Sequence, residues 1–331
     1  MIKHTIAAAA FASATLGLGL TAASAQVALD LANEYPPASI HAQTADTFIE
    51  ALREASGGEI DITAHHGAAL GFRSADHFDA VGDGAVDIAS TFVGVWAGID
   101  PVFLVSSLPF LAPSIEDNIA LYEATRPYYE QTMADANQVF LFATPWPPSG
   151  LWGNKPLDSM EAIAGQRIRT FDANGTITLR EAGAAPIQLS WADTVPQLTA
   201  GGIDGVLTSA DGGAAAQLWE HQSHFTEVNY AMPLQIMHMN QDIFDAMSSE
   251  QQQMVREAAA EAEAFGWGLL ADRVAQNYAQ MEENGMTIVT DVSAGFLDAL
   301  GEAAQTTVAE WEARFPAADA LLESFEAMRT R

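Results

Sequence analysis

A helical pattern runs without a proline from Ser249 to about Asn284, and no other feature limits the possible folds as strongly. Ser248-Ser249-Glu250-Gln251 opens it as a capping box, in which side chains satisfy backbone N–H groups that a first turn leaves free. Gly285 closes it. The run is ~35 residues long, against a usual mean of ~11, and it has no heptad seam. One small lobe cannot bury such a helix. The pattern predicts a helix that spans two lobes.

The rest of the chain alternates between strand and helix. Its 331 residues suit one large domain or two of ordinary size. Val27 to Leu31 reads as a short strand, broken by Asn33-Glu34-Tyr35-Pro36-Pro37. Ser39 is a cap for a helix whose apolar positions Ala42, Ala45, Phe48, Ile49 and Leu52 keep helical spacing. A strand over 59–64, a helix from Ser74 to about Val81 and a strand over 86–89 follow. Such repeats imply a parallel sheet faced by helices.

Helices are expected near 114–124 and 127–136, with a strand over 139–144. Pro145-Trp146-Pro147-Pro148 blocks both helix and sheet and reads as a crossover between lobes. A second lobe begins near Ser149, with strands over 166–170, 185–189 and 203–207. Helices lie near 174–182 and after Ser190. Strand-like stretches over 225–230 and 233–239 flank Pro233 and cross back. A strand over 286–289 and an amphipathic helix over 293–313 complete the pattern. The fold class expected is α/β and two-lobed. Lobe I takes residues 26–146 plus 234–273, and lobe II takes 147–233 plus 274–331.

Composition narrows the function. The formal charge is −30, so nucleic acid and anionic lipid surfaces would repel the chain. With 49% hydrophobic residues the chain can bury a sizeable core, and with no cysteine it has no disulfide staples. Residues 1–25 carry Lys3, an apolar run and Ala23-Ser24-Ala25, the pattern of a secretory signal cleaved before Gln26. The mature chain is then expected in the periplasm as a soluble monomer.

Cations are scarce. Only Lys3 and Lys155 are lysines, and 11 of the 13 basic residues are arginines. Two of these, Arg167 and Arg169, still occupy one apolar strand. That placement marks an anion anchor, or else a buried ion pair.

Catalytic signatures are absent. There is no G-x-S-x-G elbow, no phosphate loop ending in G-K-[ST] and no H-E-x-x-H. Gly82 and Gly84 follow a helix and precede a strand, the reverse of a dinucleotide site. His65-His66 and His221-x-x-His224 lack partners at metal-ligand spacing. No cofactor or metal is expected, and an enzyme is disfavoured. Two parallel-sheet lobes joined by crossovers describe a cleft that closes on a small ligand.

At this point the chain resembles a known family, the DctP-type periplasmic substrate-binding subunits of tripartite ATP-independent (TRAP) transporters. The resemblance covers nearly all of the chain after the leader. It rests on Gly57-Gly58-Glu59-Ile60 with Ala69-Leu70-Gly71, Gly84-Ala85-Val86-Asp87, Leu108-Pro109-Phe110, Gly165-Gln166-Arg167-Ile168-Arg169, Gly183-Ala184-Ala185-Pro186 and Gly202-Ile203-Asp204-Gly205. Each phrase alone is weak; their order and spacing are specific.

The resemblance implies a receptor for a small organic acid, working with integral-membrane TRAP subunits. It implies that Arg169 grips the ligand carboxylate with two parallel N–H donors, a geometry that suits a guanidinium. Asp172, Trp191 and Thr208 fall at positions where the family has ligand contacts. Asn33 to Tyr35, Arg73 and Phe92 are expected to face the cleft from the first lobe. Where sialic-acid binders carry a second arginine, this chain has Ser149, and Arg73 is a candidate to supply that charge from the opposite lobe. Trp146, Trp152, Phe92 and Trp191 are candidate stacking faces. Sugar acids, hydroxy acids and aromatic acids all satisfy such a site. The alternatives are an exported hydrolase or lyase on the same scaffold, and a receptor that serves signalling.

Overall fold

The computed structural model describes residues 26–330. The expected signal peptide lies outside the described residues. The chain begins with β1 (Val27–Asn33), α1 (Ile40–Ala55), β2 (Ile60–His65), α2 (Ser74–Gly82), β3 (Ile88–Phe92), α3 (Ile115–Ala134) and β4 (Gln138–Pro145). It then runs through β5 (Ser149–Gly153), α4 (Met160–Ile163), β6 (Ile168–Thr170), α5 (Ala173–Glu181), β7 (Ile187–Gln188), α6 (Trp191–Thr199), β8 (Gly205–Ser209), α7 (Ala210–Ala215) and β9 (His224–Thr226). The last stretch holds β10 (Leu234–Asn240), α8 (Gln241–Ala246), α9 (Ser249–Glu283), β11 (Thr287–Val289), α10 (Ala294–Arg314) and α11 (Ala318–Arg329).

Two sheets organise the two lobes. The first has the order β2-β1-β3-β10-β4, and the second β11-β9-β5-β8-β6-β7. The parallel expectation holds for β1 with β2 and β3, and for β6 with β7 and β8. Both sheets are nevertheless mixed. β10 runs antiparallel to β3 and β4, and β5 runs antiparallel to β8 and β9. The strands that reverse, β5 and β10, are those that leave the two crossovers. The two crossovers also lie side by side, since Trp146 N donates to Pro233 O at 2.8 Å and Ser149 N to Ala231 O at 2.9 Å.

α9 is a single helix of 35 residues, about 52 Å long at 1.5 Å per residue. Ser248 and Gln251 form its capping box. Val255, Ala258, Ala259 and Ala262 pack in the core of the first lobe, whereas Leu270 and Met281 pack in that of the second. Gly266 marks the closest approach: a Cβ there would lie 2.6 Å from Thr144 Cγ2 and 3.0 Å from Thr44 Oγ1. Its small residues let the helix lie directly on β4 and α1.

Three expectations are corrected. Residues 115–134 form one helix through Pro127, not two, because burial of Leu121, Tyr129 and Met133 outweighs the ~3 kcal/mol an internal proline costs. α10 is a second helix shared by both lobes: Phe296 and Leu300 join the second-lobe core, while Trp311 joins the first-lobe core and its Nε1 donates to Pro101 O at 2.8 Å. Finally, α11 was assigned with 274–331 to lobe II, but Leu321 and Phe325 pack beside Leu121 and Tyr129 of α3 in lobe I. Its apolar face follows the chain back over α10, a tertiary choice with no local signal.

Candidate functional site

Arg169 sits at the middle of β6, paired with Val206 on one side and Ile187 on the other. Three residues suffice for that strand because its neighbours pack tightly against it. At Gly205, for example, a Cβ would lie 2.7 Å from Trp152 O. The Arg169 side chain is only 3% exposed. Its Nε donates to Leu189 O at 3.1 Å, and its guanidinium carbon lies 5.3 Å from the centre of the Trp191 ring.

Among the described residues no carboxylate forms an ion pair with Arg169, and neither Nη atom has a hydrogen-bond acceptor. Arg73, Arg167 and Arg273, by contrast, are each paired with an aspartate. Burial pushes the Arg169 pKa down, against the opposing pull of Tyr35, Glu34 and Asp172. A guanidinium starts so high that it stays charged. Burying a charge without a partner is costly, so this fork is a cation waiting for an anion.

Arg169 lines two adjacent chambers, which also share Tyr35, Phe92, Phe171 and Trp191 in their walls. The inner one has a cavity volume of about 20 Å³ and is lined by the rings of Tyr35, Phe92, Trp146, Phe171 and Trp191, with Ser149, Thr208, Ser209 and Pro233. Ring centroids lie 4.6 Å apart for Tyr35–Trp146, 5.9 Å for Tyr35–Trp191 and 5.4 Å for Phe92–Phe171. The hydroxyl residues come from β5 and β8, where Ser149 pairs with Ser209 and Gly150 with Thr208. The outer chamber, about 330 Å³, adds Glu34, Ser74, Ala75, Val95, Gln188, Leu189 and Ser190. Among the described residues Arg169 is the only cation lining either chamber. A broader trough on the outside of the first lobe contains Arg126, bridged to Glu130 and Glu263, and Arg256, which lies over the Phe244 ring at 4.8 Å.

Seven of the residues expected at the site converge on the inner chamber: Tyr35, Phe92, Trp146, Ser149, Arg169, Trp191 and Thr208. Four do not, and each has a structural task instead. Arg73 lies on the rim, where its Nη1 and Nη2 bond Asp193 at 2.7 and 3.0 Å, so its charge is already matched. Asp172 caps α5, accepting Gly175 N at 3.0 Å, and lies behind the chamber wall. Burial raises its carboxyl pKa to about 6. Asn33 accepts Tyr35 N at 3.1 Å and approaches His66, so it shapes the turn that delivers Tyr35. Trp152 is fully buried against Phe225 and donates to Ser209 O.

Sequence reasoning missed Phe171, Ser209 and Pro233. Phe171 and Ser209 adjoin the expected Arg169 and Thr208 segments and are legible as neighbours there. Pro233 enters only because the two crossovers run together. No group of three or more potential metal ligands occurs among the described residues. Likewise, none of the described helices is long and apolar enough to cross a membrane.

Comparison with known proteins agrees with this geometry. The family profile for bacterial extracellular solute-binding proteins, family 7 (DctP), matches residues 31–314. The structure resembles DctP7 of Bordetella pertussis, an extracytoplasmic solute receptor binding pyroglutamic acid. The two share 25% identity and a TM-score of 0.87 over 91% of this chain and 99% of that one. A TRAP solute-binding protein from a marine metagenome, specific for pyroglutamate, has 26% identity and a TM-score of 0.86 over 91% and 99%. The 2,3-diketo-L-gulonate-binding periplasmic protein of Escherichia coli K12 is 24% identical over 298 residues, 86% of this chain and 88% of that protein. Members of this family are substrate-binding receptors rather than enzymes. A two-lobed α/β chain with a paired-helix spine and a cleft of this kind, matched by the family profile along most of its length, belongs to the DctP family of bacterial extracellular solute-binding proteins.

Proposed function

We propose that this chain is a periplasmic receptor that grips a small organic monocarboxylate through Arg169 and delivers it to the membrane subunits of a TRAP transporter. One observation carries the reading. A buried guanidinium with two unused Nη groups faces a ring-lined chamber between the lobes. A carboxylate presents two oxygens at the spacing of that fork, and exclusion of water strengthens the pair. The inner chamber has room for little more than a water, whereas the outer one, with a cavity volume of about 330 Å³, suits a compact acid with a ring or branched body. The rings take its apolar faces, and the hydroxyls of Ser149, Thr208 and Ser209 offer hydrogen bonds at the far end.

The pyroglutamate receptors among the relatives make small cyclic acids the first class to test. Lobe I in this reading comprises 26–146, 234–273 and the C-terminal helix, and lobe II comprises 147–233 with most of 274–314. Hinge closure between them would present one continuous surface to the transporter.

Calorimetric titration against a panel of cyclic, hydroxy and aromatic monocarboxylates tests the reading. Wild type should bind at least one of them, and Arg169→Ala should bind none measurably. A near-native dissociation constant for Arg169→Ala would reject the anchor role.

A further inference from the structure

Among the described residues Glu34 is the only carboxylate lining either chamber, and it is 4% exposed. Its Oε2 accepts the backbone N–H of Ser74 at 2.9 Å, and its Oε1 accepts that of Ala192 at 3.1 Å. Ser74 opens α2 in one lobe, and Ala192 lies in the first turn of α6 in the other. Each N–H is one that a helix leaves free at its start, and each helix directs the positive end of its dipole at the carboxylate. Two helices from opposite lobes thus hold one negative charge in place. Beyond it, the Arg73–Asp193 pair spends the rim cation.

We propose that Glu34 sets the charge class of the ligand, admitting acids with one carboxylate and rejecting dicarboxylates. The inference rests on Arg169 as the carboxylate anchor. A ligand held there must point its remaining atoms inward among the rings or outward toward Glu34. Inward, a second carboxylate would lose its hydration with only hydroxyls in return. Outward, it would meet the like charge of Glu34, held in place by two backbone N–H groups. An amide or lactam N–H, or a hydroxyl, has the opposite experience, because it finds in Glu34 an acceptor already aimed into the chamber. The site therefore favours acids whose second polar group is a neutral donor.

Two isosteric probe pairs test this by calorimetric titration: glutaramate against glutarate, and succinamate against succinate. Wild type, Glu34→Gln and Arg169→Ala are compared. In wild type each half-amide should bind at least about tenfold tighter than its diacid, a difference of ~1.4 kcal/mol. Glu34→Gln should narrow that ratio several-fold, by strengthening the diacid. The ratio is its own control, since a loosened closure weakens both members of a pair alike. A diacid that binds wild type as tightly as its half-amide overturns the proposal, and so does a ratio unchanged in Glu34→Gln. Half-amides that bind Arg169→Ala as well as wild type, or four acids that all fail to bind wild type, overturn the anchor itself, so the two failures are distinguishable.

Discussion

Arg273 of the spanning helix α9 and Asp211 of α7 form an ion pair that belongs to neither lobe alone, with Nε and Oδ1 2.5 Å apart. Asp211 is fully buried. Its Oδ2 accepts Ile40 N at 3.0 Å, so it also caps α1 in the first lobe, and Asn277 donates to its Oδ1. Arg273 in turn donates to Ala38 O. One aspartate of the second lobe is thereby tied to the first lobe and to the spine.

Removing that aspartate should be expensive. Asp211→Ala leaves Arg273 without its counter-charge and Ile40 N without an acceptor. Breaking a buried pair typically costs ~3–5 kcal/mol. The thermal midpoint is expected to fall by roughly 5–10 °C, measured by scanning calorimetry. A shift within error would mean that the pair is not a strut between the lobes.

The rim pair should behave differently. The Arg73 and Asp193 side chains are 47% and 39% exposed, and such pairs contribute up to ~1 kcal/mol. Arg73→Ala should leave the thermal midpoint nearly unchanged. Because the pair ties α2 of one lobe to α6 of the other, the variant should release ligand up to about fivefold faster, with the effect fading at high salt. Stopped-flow release of a bound acid at two ionic strengths checks this. An unaltered release rate at low salt would show that the contact does no more than decorate the rim.

Arg169→Lys separates charge from geometry. The ammonium keeps the cation but loses the fork, the Nε bond to Leu189 O and the flat contact with Trp191. Affinity for the monocarboxylate should drop by more than about tenfold while the fold persists. Retained affinity would mean that a point charge is enough.

Acidification should destabilise the first lobe. His41, His77 and His238 are buried there. His77 Nδ1 and His238 Nε2 meet Thr91 Oγ1 at 2.8 and 2.9 Å, and His238 Nδ1 meets Gln138 Oε1 at 2.6 Å. Burial lowers the His77 pKa to about 4 and holds those of His41 and His238 well below 6.5. The unfolded chain therefore binds these protons first, and stability present above about pH 6.5 is lost as pH falls toward 4. Asp172 opposes this in part, because its raised carboxyl takes a proton in the folded state first, below about pH 6. One aspartate cannot offset three histidines. Thermal midpoints should decline from pH 6.5 to 4.5, and less steeply in His77→Asn; equal slopes in the two proteins would exclude the histidine explanation.

Much of the architecture is legible in the chain because it is written in local signals. Ser39, Ser190 and Ser248 cap the helices they precede, since a hydroxyl finds its N–H within three residues. The length of α9 requires two lobes whatever their details. Arg167 and Arg169 stand out because a chain with so few cations places two of them in one apolar strand, and the family resemblance singles out Arg169. These features depend on periodicity and near neighbours, and the sequence alone determined them.

Only the tertiary structure decided which way the other site residues face. Trp152 and Ser149 share β5, yet one is core and the other lines the chamber, because the antiparallel pairing with β8 sets which side of the sheet each meets. Asp172 looks like a ligand contact by position but turns back to cap α5. Arg73 meets Asp193, 120 residues away, and Glu34 meets Ala192, 158 residues away. The placement of α11 on α3, and the sharing of α10 between lobes, follow the same rule. Each partner is chosen by burial and charge across the closed cleft, and nothing within a few residues of either one encodes that choice.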